Sequence, residues 1–267
     1  MKFAASVLLS VSLLASAHAA DSGIDAARQR GTLVAGMSYP LPVYVAGAKF
    51  RTPENPESIL IDDLGKRLKL KLGTPKTDSS TAAQWIKSGR ADVVLTLVDD
   101  NDALRRDAGV STIPTGYSAG AMAIMRSDTD IKSWEQLKGR TVCLSEGGAY
   151  VGKIAAKYGA IEKVQRAPAD SLLSLRIGAC DAAVHDDTML NDLLKLPEWK
   201  KFSARLPVQS RQTLVFAVRA DDAKSISYLK QASTDWAAGG FWAELRKKWV
   251  NNVAFEVYLD QNIPDCH

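Results

Sequence analysis

The stretch Ile177-Gly178-Ala179-Cys180-Asp181-Ala182-Ala183-Val184-His185-Asp186-Asp187-Thr188 constrains the fold of this chain more than any other. Gly178 suits the left-handed position that ends a helix, and Ala182 to Val184 are apolar enough for a buried parallel strand. His185, Asp186 and Asp187 then arrive together at the strand's carboxyl end. Ligands of open α/β sheets bind at that edge, which makes Asp186 a candidate for a cationic ligand group. Asp187 or Thr188 reads as the N-cap of the next helix, Met189 to Leu194. The same device occurs earlier, in Trp85-Ile86-Lys87-Ser88-Gly89-Arg90-Ala91-Asp92-Val93-Val94-Leu95. Each copy is preceded by a basic-glycine strand opener, Arg30-Gly31-Thr32-Leu33-Val34-Ala35 and Lys138-Gly139-Arg140-Thr141-Val142-Cys143-Leu144. The repetition predicts two similar α/β lobes.

With 267 residues, 46% of them hydrophobic, the chain has enough material for one large or two small globular domains. Lys2, the apolar run Phe3 to Ala15 and the small-x-small triplet Ala17-His18-Ala19 read as a secretory signal peptide over residues 1–19. The run falls short of the roughly 20 residues that span a bilayer. The formal charge of +4 is dispersed, with Lys200-Lys201 and Lys247-Lys248 as pairs, so nucleic acid is not an expected partner. Export suits the cysteines. Cys143 and Cys180 lie on strands of the second lobe that can be neighbours, and an oxidising compartment would join them; the alternative is two buried thiols. Cys266 is left over, free or linking chains.

The first strand, Thr32 to Gly36, runs into Met37-Ser38-Tyr39-Pro40-Leu41-Pro42-Val43-Tyr44-Val45, where two prolines stop a central strand. Tyr39 and Tyr44 could wall a small-molecule cleft or simply pack beneath the loop. Asp62 or Asp63 reads as the cap of a helix with Leu64 and Leu68 on its buried side. Asn101 or Asp102 can cap a short helix that places Arg105 and Arg106 at the cleft edge. There they could bind a carboxylate, or pair with Asp99, Asp102 or Asp107. Gly147 and Gly148, between a strand and a helix, could leave backbone N–H groups for an anion. Asp221 to Val250 contains two amphipathic helices whose Trp236, Phe241, Trp242, Leu245 and Trp249 are spaced to pack on the first lobe.

Taken in order, Gly31 to Tyr44, Asp62-Asp63-Leu64, Gly89 to Arg106, Gly120 to Arg126, Gly139 to Tyr150, Gly178 to Asp187 and Val215 to Arg219 resemble the family 3 extracellular solute-binding proteins. The resemblance covers the mature chain. It implies two Rossmann-like α/β lobes joined by two crossover strands, a periplasmic binding protein type II-like fold. The crossings fall at Gly120 to Ile124 and Leu214 to Val218. Residues 20–121 and 217–267 form one lobe and 122–216 the other. Carried over residue by residue, the ammonium-binding aspartate falls on Asp186 with His185 beside it. The backbone anion cradle falls on Gly147 and Gly148, and the aromatic loop on Tyr39 to Tyr44. Where relatives reading α-carboxylates have glycine, threonine, threonine and an arginine, this chain has Leu97, Asp99, Asn101 and Leu104, with Arg105 one residue late. That departure points to a cationic or unusual solute.

The resemblance implies a periplasmic receptor that captures a small polar solute for an inner-membrane ABC permease, as a monomer without a cofactor. There is no nucleophile-base pair or metal cluster to suggest an enzyme. Two alternatives use the same scaffold. One is a cyclohexadienyl-dehydratase-like enzyme with Asp186 or Glu146 as its acid; the other is an accessory protein of a quinoprotein dehydrogenase.

Overall fold

The computed structural model describes residues 23–39, 49–54 and 56–261. The signal peptide, Tyr44 and Cys266 lie outside the described residues. The strands are β1 Thr32–Met37, β2 Lys71–Gly73, β3 Val93–Val98, β4 Val110–Met125, β5 Thr141–Ser145, β6 Ile161–Gln165, β7 Ala182–Asp186, β8 Ala204–Arg205 and β9 Gln209–Arg219. The helices are α1 Ile24–Arg30, α2 Glu57–Leu68, α3 Ser79–Lys87, α4 Ala103–Arg106, α5 Lys153–Tyr158, α6 Pro168–Arg176, α7 Asp187–Leu193, α8 Ala223–Ala238 and α9 Phe241–Leu259. Among the described residues the strands form one curled sheet in the order β2-β1-β3-β9-β4-β7-β5-β6, with β8 beside β4.

Each half of the sheet has a hydrophobic layer on both faces, and strand alternation assigns residues to the layers. On β9, Leu214, Phe216 and Val218 face α1, α2 and α8, while Val215 and Ala217 face α3 and α4. On the far half of β4, Met122 and Ile124 face α6 and α7, whereas Ala121, Ala123 and Met125 face α5 and the turn at Trp134. The two halves meet at β4. This strand pairs antiparallel with β9 as far as Ala121, then with β7 from Ala121 onward. Its register slips between Pro114 and Ser118, where Gly116 has φ 92° and a Cβ would lie 2.9 Å from Trp242 Nε1. Glycine fits because it tolerates both the backbone angle and the indole.

Two expectations are corrected. α2 begins at Glu57 after Pro56, which puts Asp62 and Asp63 inside the helix, bonded to Lys66 and Arg67 one turn on. α9 divides its allegiance. Phe241 and Trp242 pack with the first half, but Trp249, Val250, Val253 and Val257 pack on Leu172, Leu175, Leu190, Trp199 and Phe202 of the second. Amphipathic spacing specifies that a face is buried without specifying the surface it meets.

Cys143 and Cys180 form a disulfide with Cα atoms 5.8 Å apart, beside the parallel β5–β7 pairing. It closes a 37-residue separation. Chain entropy then gives a stabilisation of about 3–4 kcal/mol. Replacing both cysteines by alanine should lower the urea-unfolding free energy by that amount, and an unchanged unfolding midpoint would contradict the estimate.

Candidate functional site

The carboxyl ends of β1, β3 and β5 open onto a cavity of about 460 Å³ between the halves. A parallel sheet offers its ligand edge there. From the first half come Ser38 and Tyr39 after β1, Glu57 at the start of α2, Lys76, Asp78 and Ser79 before and at α3, and Thr96 and Leu97 of β3. From the second come Glu146 to Ala149 after β5, Val151, Lys153 and Val164. Gln212 of β9 lies at the junction.

Local structure fixes most of these groups. Asp78 is the N-cap of α3 and accepts from Thr81 N–H at 3.1 Å and Ser80 Oγ at 2.6 Å. These bonds hold its carboxyl below the usual range despite partial burial. Glu57 is buried, at 1% exposure, and its Oε2 accepts from Ser38 N–H at 2.9 Å. Burial outweighs the backbone donors and pushes its pKa up to about 7. Tyr39 reaches across the cavity to donate to Glu146 Oε2 at 3.1 Å, and its ring lies on Gly147. Gly147 has φ 78°, and a Cβ there would fall 2.6 Å from that ring. A side chain at this position would force the two walls apart.

Outside the lining, next to Gly148, lies a buried polar cluster. Asp186, 3% exposed, accepts from Tyr117 OH at 2.5 Å and Tyr150 OH at 2.6 Å. Burial and the neighbouring Glu54 charge raise its pKa to about 6. His185 is wholly buried, with Nδ1 2.8 Å from Glu54 Oε2 and Nε2 2.9 Å from Ser171 Oγ. Ser145 Oγ donates to the same Glu54 oxygen, while Glu54 Oε1 has no hydrogen-bond partner among the described residues. Glu54 arrives on a strap from the first half. In this strap Arg51 pairs with Asp170 and Asp260, Thr52 donates to Glu256, and the Pro53 carbonyl accepts from Trp249 Nε1 at 2.9 Å.

Of the sequence candidates, Tyr39, Gly147 and Gly148 line the cavity together. His185 and Asp186 are buried and outside the lining, so Asp186 does not face a guest as expected. Tyr117 and Tyr150 occupy both of its oxygens. The Gly148 N–H is bonded to the Ser145 carbonyl at 3.0 Å, which removes it from an anion cradle. Asp99 and Arg105 are outside the lining: Arg105 Nε donates to the Asp99 carbonyl at 2.8 Å, and the Asp99 carboxylate accepts from Asn101 N–H. Asp187 is not a helix cap. Its carboxylate accepts from Gly120 N–H and pairs with Arg211.

Glu54, Glu57, Lys76, Lys153 and Gln212 escaped sequence reasoning as site residues. A signal existed for Lys153, which closes a glycine-punctuated run from Gly147 to Gly152 between a strand and a helix. Glu54 had none, because its partners lie 91 and 131 positions away. Among the described residues no group of three His, Cys, Asp or Glu is arranged to hold a metal ion, and no helix is long and apolar enough to cross a membrane.

No protein-family model matches the chain, and no curated protein does. Solved structures do. A mutant of ArgBP from T. maritima shares 21% identity at a TM-score of 0.55, over 85% of this chain and 99% of that one. The ancestral amino acid-binding protein AncCDT-1, described as a precursor of cyclohexadienyl dehydratase, shares 20% at 0.54 over 85% and 99%. A substrate binding protein of an amino acid ABC transporter shares 21% at 0.50 over 82% and 98%. Likeness at this identity speaks to architecture, and with the sheet described above it establishes the two-lobed α/β fold of the type II periplasmic binding proteins.

Proposed function

We propose that this chain is a periplasmic solute-binding protein that holds a small polar solute between its lobes and presents it, as a monomer, to an inner-membrane ABC permease. The observation that carries the reading is the cavity itself. Polar groups from both lobes and from Gln212 at their junction converge on a volume of about 460 Å³, within the range of small-molecule sites. A solute touching both walls stabilises closure through its contacts, and binding needs no chemistry. The solute-binding proteins among the structural neighbours support the reading.

A second reading draws on Glu57. A carboxyl with a pKa near 7 on the cavity wall could act as a general acid, as a dehydratase-like enzyme would require. A thermal-shift screen against amino acids, polyamines, organic acids and prephenate separates the two. Stabilisation without turnover supports the receptor, and a solute at 100 times its Kd adds about 2.7 kcal/mol. Product formed from prephenate would replace the receptor with the enzyme. Silence across the panel would favour an accessory role beside a dehydrogenase.

A further inference from the structure

We propose that the solute is a small organic dianion, one anionic group directed to Lys76 on the first lobe and the other to Lys153 on the second. This rests on the solute-receptor reading and names the charge class the cavity takes.

Among the charged groups of the lining, Lys76 and Lys153 stand apart in lacking a hydrogen-bond partner among the described residues. Three carboxylates line the cavity, and each is engaged: Asp78 with Ser80 and Thr81, Glu57 with the Ser38 amide, Glu146 with the Tyr39 hydroxyl. The carboxylate the fold would offer to an ammonium group, Asp186, is covered by two tyrosine hydroxyls. The lysines are in the opposite condition. Lys76 and Lys153 are exposed on the two walls, and neither ammonium group has a hydrogen bond or an ion pair among the described residues. Asp99 acts on Lys153 only through its field, while crowding by the surrounding protein lowers the Lys153 pKa. The sequence between Pro40 and Ala48 carries no charge that could pair with either lysine.

Each of these ammonium groups is open to a charge-assisted contact, so a guest with two negative groups can meet one on each wall. The run Gly147 to Lys153 has the glycine and lysine spacing of a phosphate loop, with Ile154 in place of the hydroxyl residue. Four of its amides are already occupied: Gly148 N–H by the Ser145 carbonyl, Val151 N–H by the Gly148 carbonyl, Gly152 N–H by Glu162 and Lys153 N–H by the Tyr150 carbonyl. The lysine side chains supply the positive charge that an anion would meet.

Isothermal titration of the mature chain near neutral pH tests this. The dianions are succinate, glutarate and glycerol 3-phosphate; arginine, putrescine and glutamine are the contrast. The expected result is binding of a dianion that weakens with added salt and falls about tenfold or more in Lys76→Gln and in Lys153→Gln, as for loss of a charge-assisted contact. Preference between the diacids and the phosphate ester identifies the anionic group. Both lysines are exposed, so an unchanged far-UV spectrum should accompany the loss. Absence of dianion binding, or binding indifferent to both substitutions, would overturn the assignment. If arginine, putrescine or glutamine binds instead, the charge class falls and the receptor reading stands; if nothing in the panel binds, both fall.

Discussion

Raising the pH from about 4.5 to about 8 is expected to weaken the folded state by several kcal/mol, the reverse of the usual acid lability. The cause is the pair of buried carboxyl groups. Asp186 rises from 3.8 to about 6 and Glu57 from 4.5 to about 7, both chiefly through burial. A carboxyl with a raised folded pKa binds its proton more tightly in the folded state than in the unfolded chain. Its stabilising contribution is complete below the unfolded value and disappears as the pH passes the folded value. For Asp186 that window is 3.8 to about 6, and for Glu57 it is 4.5 to about 7. Each separation of roughly two pH units corresponds to about 3 kcal/mol. The carboxyls held low by partners, such as Asp78, Asp107 and Asp260, act below this window and do not cancel it. Urea unfolding across the range should show the midpoint falling with pH. Asp186→Asn and Glu57→Gln should each flatten part of the slope. A midpoint that rises between pH 5 and pH 7 would show that these groups titrate normally.

Replacing Trp249 by alanine should cost about 3–5 kcal/mol, the range for removing a large buried aromatic. Trp249 is 3% exposed, packs among the second-lobe residues under α9, and donates to the Pro53 carbonyl. The substitution leaves a cavity and an unpaired carbonyl. It also loosens the strap that carries Glu54 to His185, so the damage should extend to the buried polar cluster. Trp249→Phe keeps most of the volume and loses the N–H; its smaller loss measures the hydrogen bond and residual packing. Denaturation of both variants checks this, and a loss under about 1 kcal/mol for alanine would mean that α9 does not hold the second lobe.

The fold was legible because its signals are local. The glycine-aspartate devices at Gly89 to Asp92 and Gly178 to Asp181 precede β3 and β7, and the disulfide joins Cys143 on β5 to Cys180 just before β7. The site was legible only where one loop makes it, at Gly147 and Gly148 and at Tyr39. Asp186 shows the limit. Its position at the end of β7 was readable, but its accessibility depends on Tyr117, 69 positions away, and Tyr150, 36 away. No periodicity encodes which hydroxyl will cover a carboxylate. Glu54 and Trp249 belong to the same class, since the strap that joins them is a tertiary contact between distant segments of unremarkable composition.

A guest held by both lobes at once should register in amide hydrogen exchange measured with and without the best stabilising solute. Segments on both walls, Lys76 to Ser79 and Glu146 to Lys153, should gain protection together, with the junction around Gln212 following. Protection confined to one wall, or none at either while the solute still stabilises the protein, would place the binding elsewhere and contradict the account.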